Sequence, residues 1–377
     1  MAGYVMNMSD MENVKQCIED GVYSTNLKTP KNGKWTRAQE GTFADYFSMK
    51  PGNHIYFFND RKIYGIGEIV EINEDCKFWN YIDADEPKDY SSKEYKERNP
   101  LLPPSADVNN RCFCTFKPSP YFFLKGIDMD DALSSNPDRF RMLRAMWKVS
   151  FIKIDDEEDK ALIDIILKRN EKNLYSGENT FDYFQERHDY ITQNASRAYR
   201  MSKYKLLSNC YSNINNIIQH EMAIEAAICE LLSTKTDSIF GRWDYISHQV
   251  VASPFKAIDY MDKMDIFGYR YIEDYDTICK YMVIEIKKDV AEKDAIEQLM
   301  KYVDWIQGEY AHGDYSMIEA YIVAAGFSQN ILDSKDNICV RYFTKGFRPS
   351  VSCKWKKVRL IQYEYIDQDL SFVEIKG

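Results

Sequence analysis

Short apolar runs broken by turn residues fill the first part of the chain, and longer runs with helical spacing fill the second. His54-Ile55-Tyr56-Phe57-Phe58 reads as a strand between two turns, Met49-Lys50-Pro51-Gly52 and Asn59-Asp60-Arg61-Lys62. The next strand covers 63–70, where Gly65 and Gly67 permit the bulge or tight coiling that a small barrel needs. Residues 112–117 and 147–154 are further strand-like pieces, and 82–110, rich in Asp, Lys, Ser and Pro, reads as a long surface insertion. Ser9-x-x-Glu12 has the form of a capping box that starts a short helix stopping at Gly21. Leu162, Ile165 and Ile166 mark a helix over 158–168, with 169–180 as a linker. The region 181–233 is mostly helical, and its last part carries Ile224, Ile228 and Leu231 on one face. The apolar run Tyr281-Met282-Val283-Ile284 is a strand, and Ile296, Leu299, Val303 and Ile306 form the stripe of a helix. Residues 318–326 are a short buried strand ending at Gly.

The strand at 281 ends in Glu285-Ile286-Lys287, so Glu285 and Lys287 share one face while Ile286 packs on the other. Asp265 lies twenty residues upstream (285 − 265), and the polar cluster 273–277 between them suits a loop. A hairpin centred on Tyr275 sets Asp265 opposite Glu285 across two antiparallel strands. Two facing carboxylates are hard oxygen ligands that suit Mg²⁺ or Mn²⁺. Such a cation stabilises charge developing on a phosphoryl group and acidifies bound water, which Lys287 can orient. Gln298 and Tyr302 stand one turn apart on the helix that follows. A second Glu-x-Lys, Glu374-Ile375-Lys376, reads as an ordinary strand terminus because no helix can follow it. The alternative for the first copy is a surface charge pair beside an unrelated amphipathic helix.

The order Asp, about twenty residues, Glu-x-Lys resembles the PD-(D/E)xK nuclease superfamily, although Met264 stands where many members have Pro. With the helix and strand that follow, residues 215–365 are similar to the nuclease domains of NucS-type DNA endonucleases and of the Shedu anti-phage nucleases. The resemblance implies a restriction-endonuclease-like α/β core with catalytic Asp265, Glu285, Lys287 and Gln298. It also implies Asp265 and Glu285 as metal ligands, and a third carboxylate from the helix before the hairpin. Glu225, one turn from Glu221, is the candidate, with a solvated helix face as the alternative. Residues 41–70, with the Lys50-Pro51-Gly52 turn, an aromatic strand and Gly65-x-Gly67, look similar to PUA-like barrels of the EVE/YTH kind. That resemblance implies nucleic-acid binding, with Trp35, Phe78, Trp79, Tyr81, Tyr121, Phe122 or Phe123 lining a pocket for a flipped base; core packing is the alternative for each ring.

Composition narrows the setting. At 377 residues with 45% apolar content, the chain has material for two or three domains. The expected division is a barrel over 1–155, a helical connector over 156–214 and a nuclease domain over 215–377, an α+β multidomain protein. No run is long enough to span a membrane, and the N-terminus lacks the basic and apolar regions of a secretory signal. Nine Cys at irregular spacing argue against a disulfide framework, which points to the cytoplasm. Cys112-x-Cys114 has no partner pair and the five His lie far apart, so a structural zinc site is not expected.

The net charge of −10 excludes a uniformly basic DNA wrapper. Between Asn337 and Tyr363, however, seven basic residues and no acidic ones occur: Arg341, Lys345, Arg348, Lys354, Lys356, Lys357 and Arg359. Lys354, Lys356, Lys357 and Arg359 are candidate phosphate contacts, joined by Trp35 and Trp79 as base contacts. Arg197, Arg200, Lys203 and Lys205, interleaved with Tyr199 and Tyr204, are a second basic concentration, equally explicable as a solvated face. The expectation is a Mg²⁺- or Mn²⁺-dependent DNA endonuclease for restriction or anti-phage defence, acting as a homo-oligomer (dimer or tetramer) away from membranes. A repair endonuclease for mismatched or branched DNA and a non-catalytic DNA-binding subunit are the alternatives. A glycosidase is disfavoured, because Lys287 has no role beside its two carboxylates.

Overall fold

A computed structural model describes residues 2–103, 106–146, 150–214, 216–234, 237–253 and 262–375. These form two compact units, each built from two pieces of chain. Unit 1 comprises Met1–Lys34 and Met49–Met201; unit 2 comprises Trp35–Ser48 and Ser202–Gly377. The division differs from the expected barrel, connector and nuclease, because residues 156–201 pack with the N-terminal strands.

Unit 1 holds strands β1 (Gly3–Asn7), β2 (Val22–Asn26), β3 (His54–Asn59), β4 (Lys62–Ile69), β5 (Lys77–Trp79), β6 (Asn110–Pro118), β7 (Ile127–Asp128) and β8 (Phe151–Ile154). The expected strand over 147–154 begins at Phe151, and 147–149 lie outside the described residues. The sheet runs β2-β6-β4-β3-β1-β8, with β5 on β6 and β7 on β4, so it is a half-barrel and not a closed one. Helix α1 (Met11–Asp20) is capped by Asp10, whose carboxylate accepts Asn13 N–H at 2.8 Å, not by the expected Ser9. It does stop at Gly21, which adopts φ 63°. The β3–β4 hairpin turns through Asp60 and Arg61, both left-handed. Gly67 has a packing reason: a Cβ there would lie 2.5 Å from the Phe122 ring.

Helix α2 (Arg37–Phe47) leaves this unit and belongs to the second. The expected surface insertion at 82–110 is anchored instead. It contains α3 (Ser92–Glu97), and the fully buried Arg111 donates to the carbonyls of Ala84, Glu86 and Lys88. Polar composition hid this, because the anchor sits outside the segment it holds. After α4 (Met129–Ser135), α5 (Asp156–Arg169) lays Leu162, Ile165 and Ile166 into the core formed by Val5, Tyr56 and Ile152. α6 (Glu171–Ser176) occupies part of the expected linker, and α7 (Glu186–Asn194) follows.

Unit 2 continues with α8 (Lys203–Cys210), the two-residue strands β9 (Tyr211–Ser212) and β10 (Ile217–Ile218), and α9 (Glu221–Thr234). Its sheet is built from β11 (Tyr245–Val251), β12 (Lys263–Tyr271), β13 (Ile278–Ala291), β14 (Ile318–Phe327), β17 (Val358–Ile366) and β18 (Asp369–Ile375), in that spatial order. A hairpin of β15 (Arg341–Lys345) and β16 (Val351–Trp355) stands apart from it. β11 to β13 are antiparallel, β13, β14 and β17 parallel, and β18 antiparallel. Helix α10 (Lys293–Glu309) makes the parallel crossover from β13 to β14 and buries Ile296, Leu299, Val303 and Ile306, as the stripe predicts. α11 (Gln329–Ile338) follows β14. The second Glu-x-Lys falls on β18, with Lys376 outside the described residues. No helix among the described residues is long and apolar enough to cross a membrane.

Candidate active site

The β12–β13 hairpin turns where sequence symmetry places it. Ile266 pairs with Ile284, Phe267 with Val283 and Tyr269 with Tyr281, and Asp265 and Glu285 directly follow the first of these pairs on their strands. Asp265 is fixed by accepting the backbone N–H of Ile286 at 2.7 Å. Glu285 is fully buried; its Oε1 accepts Lys287 Nζ at 2.7 Å, and its Oε2 has no hydrogen-bond partner among the described residues. The β13–β14 register then shifts between Lys287 and Val290, a bulge directly after the charged pair.

Two helices complete the cluster. Gln298 on α10 accepts Lys287 Nζ at 3.5 Å and donates to Tyr302 Oη at 3.0 Å, so the expected Gln–Tyr pair backs the lysine. α9 is buried on most of its surface, and Glu225 comes with it at 2% exposure, which removes the solvated alternative. Glu221, one turn earlier, accepts the backbone N–H of Lys288 at 3.3 Å.

Sequence reading missed three contributors. Gln249 on β11 donates Nε2 to both oxygens of Glu225, at 3.0 and 3.2 Å, and to Asp265 Oδ1 at 3.4 Å. It does so with φ 51°, a left-handed conformation uncommon for a residue with a side chain. His248 places Nδ1 3.6 Å from Glu225 and Nε2 2.9 Å from Asp45, which α2 supplies. No local pattern links residues 45, 225 and 249; only the tertiary fold does.

Electrostatics follow from this crowding. Burial, then Glu225 and Glu285, hold the Asp265 carboxyl well above the carboxylate range. Burial raises Glu285 to about 7 despite Lys287 beside it. Burial pulls Lys287 down, but Glu285 outweighs it and keeps the ammonium charged. Burial also disfavours charge on His248, yet Asp45 and Glu225 raise it to about 10. The result is a pocket of carboxylates short of positive charge, with oxygen donors that suit a hard divalent cation.

The proposed nucleic-acid contacts divide sharply. Trp35 and Trp79 are buried at 1% and 3% exposure; Trp35 packs edge-on against Phe43 in unit 2, so neither ring is open to a base. Phe78, Tyr81, Phe122 and Phe123 are likewise core, because aromatic surplus marks a small half-barrel's interior as readily as a pocket. Arg359, half-buried, pairs with Glu374 at 2.7 Å and donates to the Ile239 carbonyl at 3.1 Å. Lys354, Lys356 and Lys357 are solvent-exposed. In the other basic concentration, Arg200 pairs with Glu74 at 2.8 Å, and the buried Lys203 pairs with Asp369 at 2.7 Å.

No family model and no curated protein matches the chain. Among solved structures, a repair endonuclease from Pyrococcus abyssi aligns at 22% identity over 22% of this chain and 31% of its own, with a TM-score of 0.17. A complex of EndoMS with double-stranded DNA aligns at 23% identity over 22% and 30% of the two chains, also at 0.17. A hypothetical protein from Leishmania major aligns at 14% identity over 46% and 97%, at 0.27. The chain thus spans under a third of the length of the two endonucleases.

Proposed function

We propose that unit 2 is a divalent-cation-dependent DNA endonuclease of the PD-(D/E)xK type. The observation that carries this reading is the Glu285–Lys287 pair beside Asp265, where the buried Glu285 Oε2 has no hydrogen-bond partner among the described residues. A buried carboxylate oxygen left without a partner is costly, and a bound cation supplies one. Asp265 and Glu285 would hold Mg²⁺ or Mn²⁺, and Glu225, tied to Asp265 through Gln249, would have to close in to join them as a third ligand. When bound, such a cation stabilises charge on the scissile phosphate and lowers the pKa of water. Lys287, held by Glu285 and Gln298, orients the attacking water with Nζ. Asp265 is kept in register by Ile286, and His248 with Asp45 fixes the Glu225 carboxylate. Lys354, Lys356 and Lys357 supply phosphate contacts, and unit 1 selects the target in restriction or anti-phage defence.

The test uses the full chain with linear and circular DNA, with Mg²⁺, with Mn²⁺ and with chelator. Cation-dependent cleavage is expected, lost in Asp265→Ala and Glu285→Ala while DNA binding survives. Cation-dependent cutting that persists in Glu285→Ala removes this assignment.

A further inference from the structure

Away from those carboxylates, unit 2 brings a different donor set together. Glu40 on α2 is fully buried, and its Oε1 accepts Cys210 Sγ at 2.9 Å and meets His220 Nδ1 at 2.7 Å. Cys210 is the last residue of α8 and His220 the residue before α9. One ligand atom from each lies within 4.8 Å of the other two, and among the described residues no other His, Cys, Asp or Glu trio does so. Glu40 Oε2 is buried and has no hydrogen-bond partner among the described residues.

We infer that Glu40, Cys210 and His220 form a zinc site that fastens α2 to α8 and α9. Zinc bonds of about 2.0–2.3 Å place tetrahedral ligand atoms roughly 3.3–3.7 Å apart, so the two short contacts need open by only about 1 Å or less. The donor chemistry selects the metal. A thiolate and an imidazole disfavour Mg²⁺ and Ca²⁺, and suit a borderline-soft ion. Charge also balances, since a thiolate and a carboxylate neutralise Zn²⁺ and leave no net charge in the interior. His220 keeps 27% of its side chain exposed, which gives the ion an entry path and leaves room for water as a fourth ligand. The ligands are 170 and 180 residues apart from Glu40 along the chain, which is why no zinc spacing is legible.

The site has a structural consequence. α2 also supplies Asp45, which holds His248 against Glu225. Zinc at the N-terminal half of α2 would therefore fix the helix whose other half supports a carboxylate of the cleavage site.

The experiment measures metal in the full chain purified without chelator. About one zinc per chain is expected, lost in Cys210→Ser and in His220→Gln, and retained in Asp265→Asn. Chelation should lower the melting temperature of the parent and not that of Cys210→Ser. Because a variant can fail to fold, the parent is also stripped and reloaded with Co²⁺. A near-ultraviolet thiolate-to-cobalt absorption band is then expected, and the Asp265→Asn protein should show it too. A stripped parent that takes up Co²⁺ without a thiolate band, or zinc content unchanged in Cys210→Ser, overturns the inference. Neither readout involves DNA, so its failure and that of the nuclease proposal are separable.

Discussion

Gln249 lies between the His248–Ile266 and Val250–Met264 pairs of the β11–β12 ladder, and its amide bridges Asp265 Oδ1 to both oxygens of Glu225. The amide N–H₂ takes the place between these carboxylates that a cation would claim. Binding of Mg²⁺ there must displace it. Gln249→Gly removes the competing donor and also the strain of a left-handed side-chain residue, on the order of 1 kcal/mol. The variant is expected to bind Mg²⁺ several-fold tighter in calorimetric titration and to melt no lower than the parent. Weaker binding would mean that Gln249 assists the cation.

Proton linkage gives a second prediction. Glu285 titrates at about 7 in the fold, above its ordinary 4.5, and Asp265 is raised as well. Their neutral forms are therefore favoured by folding: this contribution is complete below about pH 4 and is lost as pH rises through 7. Without metal, the melting temperature of unit 2 should fall between pH 5 and 8 by this term. Saturating Mg²⁺ should flatten that fall, and its binding should release protons near pH 6–7, read as buffer-dependent heats in calorimetry.

Lys287 and Gln298 should separate kinetically. Lys287→Ala removes the group that orients water, and a loss of about 10²–10⁴-fold in single-turnover rate is expected without loss of metal binding. Gln298→Ala leaves Nζ held by Glu285 and should cost much less. Equal losses in the two variants would place the water-orienting role on the helix and not on the lysine.

Neutralising Lys354, Lys356 and Lys357 together should weaken binding to all DNA sequences alike. If all three contact phosphates, the slope of log K against log salt should flatten by about 2.7 on duplex DNA. An unchanged slope would identify them as solvated lysines.

The hairpin was legible because Asp265, Glu285 and the turn between them lie within one stretch of chain, where symmetry about Tyr275 fixes register. Gln298 and Tyr302 were legible for the same reason, one helix later. Gln249, His248 and Asp45 were not, since each arrives from another element and their chemistry is set by what they meet. Trp35 and Trp79 failed as candidate base contacts because composition counts rings without telling inner faces from outer ones. The expected boundary at residue 155 failed through α5, whose polar first turn resembles a connector while Leu162, Ile165 and Ile166 complete the unit 1 core. A fragment ending at 155 should consequently aggregate; one ending near 201 keeps that core but still strands the apolar side chains of α2.

That last point bears on synthesis. α2 leaves the ribosome long before its partner: 174 residues separate Phe47 from the first residue of α9 (221 − 47). At about 5–20 residues per second the wait is roughly 9–35 s. Throughout it Phe43 and Phe47, buried in the finished protein, lie on a helix with no α9 to pack against. Slower translation, or a shortage of chaperones that shield nascent apolar helices, should therefore lower the yield of native chain more than the stability of the finished protein would suggest.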